Sequence, residues 1–71
     1  MNTTSLILGK KLKALREKKG LTLSEAARRA SMSPSNLQKI EKGEVDTRFS
    51  MLMRLLTMLK VTFEDFQKVK V

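Results

Sequence analysis

Cysteine and histidine are both absent from the 71 residues, and that double absence narrows the accessible folds more than any other feature of the chain. A chain this short buries only about 60% of the surface its unfolded form exposes. Small domains of this size commonly add disulfides, a structural metal or a partner subunit. Here disulfides are excluded, and so are the zinc frameworks built from Cys and His. Helix packing remains, with dimerisation as its supplement. At 41% hydrophobic residues the chain can form a core, and its length predicts a single domain over residues 1–71.

The same absence removes most enzyme chemistry. No Cys–His nucleophile and base can be assembled, and no imidazole or thiolate is present to hold a metal-bound water. The glycines, Gly9, Gly20 and Gly43, fit neither a P-loop nor a dinucleotide fingerprint. The seven carboxylates form no obvious pair in an apolar setting. The expectation is a protein that is not an enzyme, with no cofactor, no metal and no small-molecule ligand. No apolar run approaches the ~20 residues of a membrane span. In the opening MNTTSLILGKK the charges follow the apolar run instead of preceding it, unlike a secretory signal. No membrane partner and a cytoplasmic location are therefore expected.

Charge supplies the positive signal. Lys and Arg number 15 against 7 Asp and Glu, a net charge of +8. The excess is uneven. Residues 1–43 carry ten basic and three acidic side chains, a balance of +7, while residues 44–71 carry five and four, a balance of +1. A basic first part beside a near-neutral second part suggests a polyanion-facing portion and a packing portion.

Five helices are predicted from periodicity and punctuation. The first spans about Ser5 to Lys19, with Leu8, Leu12 and Leu15 on one stripe and Gly20 as its stop. The second, about Leu23 to Ala30, has Thr22 as a cap and Glu25 at capping-box spacing. Its Ala26, Ala27 and Ala30 permit close approach of another helix. The third starts at Ser33-Pro34, a cap followed by a proline that loses no hydrogen bond there, and ends at Lys42 before Gly43. Leu37 and Ile40 form its inner side. Only Ser31-Met32 separates the second and third helices, which is the arrangement of a helix-turn-helix. A fourth helix, Arg48 to Lys60, and a short fifth, Phe63 to Lys68 with Thr62 as its cap, complete the chain. Residues 1–5 are expected as an arm and 69–71 as a tail.

The fourth helix is apolar over much of its circumference. Leu52, Leu55, Leu56 and Leu59 form the central stripe, with Met51, Met58 and Met53 beside it. Together they cover roughly 220°, more than the ~100° a surface helix needs. Either the domain wraps this helix, or part of it meets a second molecule. In the second case Met51, Met58, Phe63, Phe66 and Val69 form a dimer or partner interface. Methionine suits such adaptable surfaces.

The segments LKALREKKGLT at 12–22, SEAARRASMSPSNLQKIEKG at 24–43 and LMRLLTMLKVTFEDF at 52–66 resemble, in order, the Cro and phage-repressor (XRE-type) family of helix-turn-helix proteins. Ser33, Ser35, Leu37, Ile40, Glu41 and Gly43 carry the most specific part of the likeness. It implies an all-α, compact five-helix lambda-repressor-like domain, with helices 2 and 3 as the helix-turn-helix and symmetric dimers on double-stranded operator DNA. By position it implies that Pro34, Ser35, Asn36 and Lys39 read bases. Thr22, Leu23, Ser33, Gln38, Lys42 and Arg48 would contact phosphates. Arg16 and Glu41 would form a structural ion pair. Asn suits adenine and Lys suits guanine. Where the family often has Gly in the turn this chain has Ser31, which carries a strain of about 1 kcal/mol if φ there is positive. Pro34, which cannot donate, would read only apolar features such as a thymine methyl.

Two functions follow as expectations. One is a homodimeric repressor of transcription. The other is an antitoxin-type module that binds a toxin or other protein partner and autoregulates its operon.

Overall fold

The computed structural model describes residues 3–70. Within them the chain folds into five α-helices: α1 (Thr3–Lys18), α2 (Leu23–Arg29), α3 (Pro34–Glu41), α4 (Phe49–Leu59) and α5 (Phe63–Gln67). No strand occurs among the described residues. The predicted order is observed, with ends moved by one or two residues. Thr3–Ser5 form the first turn of α1, so these three positions are not an arm. Met1, Asn2 and Val71 lie outside the described residues.

Side-chain caps fix three helix starts. The Thr22 hydroxyl oxygen accepts from the Glu25 amide at 3.1 Å, and the Glu25 carboxylate accepts from the Thr22 amide at 3.1 Å, completing the capping box. Ser33 accepts from the Asn36 amide at 3.1 Å, with Pro34 at the first helical position. Thr62 accepts from the Asp65 amide at 3.0 Å. The Thr22 amide, and then its hydroxyl, hold the Glu25 carboxyl below the usual carboxylate range. Because the folded value is the lower one, this cap helps at any pH above the ordinary Glu value. Its contribution is lost as pH falls through the depressed value.

Four helices stop by one device. A residue with positive φ follows the helix, and the next amide reaches back five residues: Leu21 to the Arg16 carbonyl, Met32 to Ala27, Glu44 to Lys39 and Val61 to Leu56. Glycine supplies the left-handed residue after α1 and α3. Ser31 at φ 58° and Lys60 at φ 59° supply it after α2 and α4. A left-handed non-glycine residue costs about 1–2 kcal/mol, while glycine costs about 0.4–1 kcal/mol in added freedom of the unfolded chain. Ser31 is exposed and loses no packing on replacement. Ser31→Gly is therefore expected to stabilise the domain by about 1 kcal/mol, raising Tm by roughly 4–8 °C in a thermal melt.

The core gathers Leu12 and Leu15 from α1, the three alanines Ala26, Ala27 and Ala30, Leu37 and Ile40 from α3, and Phe66 from α5 around the four leucines of α4. The domain thus wraps α4. Met51, Met53 and Met58 are half-buried and pack against that same core. Most of the wide apolar girth of the fourth helix is consumed inside its own domain.

Phe66, expected at an interface, is only 2% exposed and belongs to the core. Phe63 and Phe66 are three residues apart, which places them about 60° apart around a helix. They therefore share one side of α5, where Phe66 is covered by the core and Phe63 lies at its edge, 39% exposed. The Lys11 ammonium sits 5.6 Å from the Phe66 ring centre and donates to the Gln67 carbonyl at 3.1 Å, pinning α5 to α1.

Candidate nucleic-acid interface

The outward surface of the helix-turn-helix is set by what α3 buries. Leu37 and Ile40 are 2% and 6% exposed and anchor the helix from below. Pro34, Ser35, Asn36 and Lys39 are all exposed. Ser35, Asn36 and Lys39 are related by three- and four-residue steps, so their side chains project together. Their chemistry is uncharged hydrogen bonding plus one cation, which suits base edges. Gln38 and Lys42 are exposed on the same helix and at its end. Arg48, exposed, forms the N-terminal boundary of α4.

Ser33 spends one acceptor lone pair on its cap, which leaves its hydroxyl proton able to donate to an anion, whereas the Thr22 hydroxyl is engaged with Glu25. Leu23 is half-buried and can offer only its amide at the start of α2. The residues expected to face DNA thus lie at the two helix starts, along the outer side of α3 and at the start of α4.

A charged clamp holds α3 at its far end. The Arg16 Nε donates to Glu41 Oε2 at 2.7 Å and Nη2 donates to Oε1 at 3.1 Å, while Nη1 donates to the Leu21 carbonyl at 2.9 Å. The two side chains are 11% and 5% exposed. The hydrogen bonds to Glu41 raise the Arg16 guanidinium above its usual value despite the opposing cost of burial. The pair therefore joins α1, the α1–α2 loop and α3 in one fixed geometry.

Other ties were not legible from spacing. The Ser5 hydroxyl donates to Asp46 at 2.6 Å, fastening the loop after α3 to α1. Arg54 reaches the Ala30 carbonyl at 3.5 Å, linking α4 to the turn. Gly9, in the middle of α1, lies where the backbone of α3 crosses. A Cβ there would stand 2.5 Å from the Glu41 carbonyl oxygen.

The expected apolar interface is not assembled as one patch. Met51 lines a hollow beside Asn36 and Lys39, whereas Met58 lines another with Leu21 and Arg29. Val69 is half-buried against the core. Phe63 is 39% exposed, and its ring meets Phe49 at 6.0 Å between centres and 62° between planes. Phe49, 67% exposed, is the residue the sequence pattern hides. It is in register with Leu52, Leu56 and Leu59, which reads as core, but it is the first residue of α4 and projects beyond the packed interior.

Comparison with known proteins agrees with this geometry. The family described as a helix-turn-helix domain matches residues 7–67. The crystal structure of the clp gene regulator ClgR from C. glutamicum is similar, with a TM-score of 0.87 and 28% identity over 92% of this chain and 83% of that one. A search of curated proteins gives no match. No helix among the described residues is long and apolar enough to cross a membrane. The five-helix fold, the match over most of its length and the outward face of α3 lead to one identification: the chain belongs to the helix-turn-helix family and is a DNA-binding regulator, not an enzyme.

Proposed function

We propose that the protein is a cytoplasmic, sequence-specific repressor that binds double-stranded DNA as a homodimer on a pseudo-palindromic operator. The observation that carries this reading is the face of α3, where Ser35, Asn36 and Lys39 stand in solvent above the buried Leu37 and Ile40. Two such helices enter major grooves about one turn, ~34 Å, apart. Phosphate contacts from Thr22, Ser33, Gln38, Lys42 and Arg48, with the Leu23 amide, set the register. Asn36 and Lys39 discriminate bases, and Pro34 adds an apolar contact. Repression follows from occupying DNA that RNA polymerase needs. The likeness to a gene regulator supports this reading.

Asn36→Ala and Lys39→Ala are each expected to lose roughly 1–3 kcal/mol on the preferred operator and less on random duplex. Equal losses on both DNAs, measured by fluorescence anisotropy, would reduce these residues to backbone contacts. Log affinity should fall against log salt with a slope of about −0.9 for every phosphate neutralised.

The homodimer takes its apolar surface from the Phe49–Phe63 ring pair, in place of the buried Phe66. The double variant Phe49→Glu/Phe63→Glu is expected to be monomeric in light scattering at concentrations where the wild type is dimeric. A variant that stays dimeric places the twofold contact elsewhere. The antitoxin reading loses its motive, because most of the apolar girth of α4 is used within the domain.

A further inference from the structure

Apart from Lys39 and Lys42, every lysine of the chain lies on α1, immediately after it at Lys19, or from Lys60 onward. Five of them, Lys18, Lys19, Lys60, Lys68 and Lys70, rim an open cleft of about 590 Å³ between the end of α1 and the α4–α5 corner. Its floor is apolar, formed by Ala14, Leu15, Val61 and Val69. Asp65 is its single acid. The volume falls within the ~300–1,000 Å³ of ligand clefts.

Helix C-termini account for part of the lysine rim. The ends of α1, α4 and α5 meet the cleft, and each carries roughly −0.5 of a charge. With the carboxylates of Asp65 and Glu64 these ends offset about 3.5 of the five positive charges and leave a net excess. Among the described residues, Lys18, Lys19, Lys60 and Lys70 form no ion pair, and Lys68 meets Glu64 at 3.5 Å in open solvent. A surplus of positive charge therefore surrounds an apolar floor.

We infer that this cleft docks an acidic, leucine-containing peptide segment of a partner protein. The chemistry decides between occupants. DNA presents phosphates but no apolar side chains to fill the floor. A small-molecule site fixes its ligand with a few rigidly placed polar groups. Here every cation is an ammonium on a flexible stem, acting as a point charge without the fork geometry of arginine. Such a rim recognises spread negative charge, while the floor receives aliphatic side chains. The inference concerns a face separate from the outer side of α3 and stands apart from operator binding.

The test is fluorescence anisotropy at physiological salt. The probe is a fluorescein-labelled peptide of repeated Glu-Leu-Leu-Asp units. Companion peptides carry Gln and Asn for the acids, or Ser for the leucines. The full chain is expected to bind the parent peptide and to bind each companion at least about tenfold more weakly. The variant Lys60→Gln/Lys68→Gln/Lys70→Gln, checked for folding by circular dichroism, is expected to lose about tenfold on the peptide while keeping its operator affinity. Asn36→Ala should bind the peptide like wild type. The inference is overturned if the companions bind as well as the parent, if the lysine variant binds the peptide unchanged, or if that variant loses operator affinity in equal measure.

Discussion

Replacing Glu41 by alanine is expected to remove about 3–5 kcal/mol of stability. The reason is the guanidinium left behind. Arg16 is mostly buried and gives two of its donors to Glu41, so deleting the carboxylate strands a desolvated cation. A domain of this size holds only roughly 4–10 kcal/mol in total. The loss therefore consumes a large part of the margin, and chemical denaturation at neutral pH measures it directly. The double variant Arg16→Met/Glu41→Leu should recover most of the loss, because a buried ion pair and a well-packed apolar pair of similar size are often close in energy. A double variant as unstable as Glu41→Ala would show that the carboxylate has another essential partner. On the arginine side the pair is insensitive to pH. The Arg16 value is raised on folding, so its contribution is present at every pH below the ordinary Arg range and is lost only above it.

Gly9→Ala is expected to cost about 3 kcal/mol, although helix propensity alone favours alanine by about 1 kcal/mol. The added methyl meets backbone, not the far end of a flexible side chain. It would press on the carbonyl oxygens of Ile40 and Glu41 and stand 2.8 Å from the Glu41 carbonyl carbon. Relief requires α1 and α3 to separate, which also loosens the Arg16–Glu41 clamp. Operator affinity should fall with stability, because the outer face of α3 moves with its backbone. Alanine at Gly9 giving a stability equal to or above wild type would mean that the two helices are not in close contact there.

Much of the fold was readable because every helix but α4 carries its own punctuation. Thr22, Ser33 and Thr62 are side-chain caps, and Gly20 and Gly43 are stops, so the sequence order of signals is the order of helices. The inner side of α3 was readable for the same reason, since Leu37 and Ile40 are its only apolar residues after Pro34. What sequence could not supply depends on which atoms meet across elements. Phe63 and Phe66 look equivalent by spacing, and only the docking of α5 on α1 decides which one is buried. Phe49 follows the leucine register of α4 and is exposed because the core ends before it. Gly9 reads as a weak point in a helix until the crossing backbone of α3 is seen. The lysine cleft joins residues from opposite ends of the chain and has no local signature at all.

Amide chemical-shift mapping with a duplex selected from a random pool tests the central claim most directly. The account predicts that the largest changes fall on Ser33 to Lys42 and on Thr22 to Glu25, with the amides around Lys60 and Lys68 to Lys70 nearly unmoved. Changes centred on the α4–α5 corner, with the outer face of α3 silent, would contradict it.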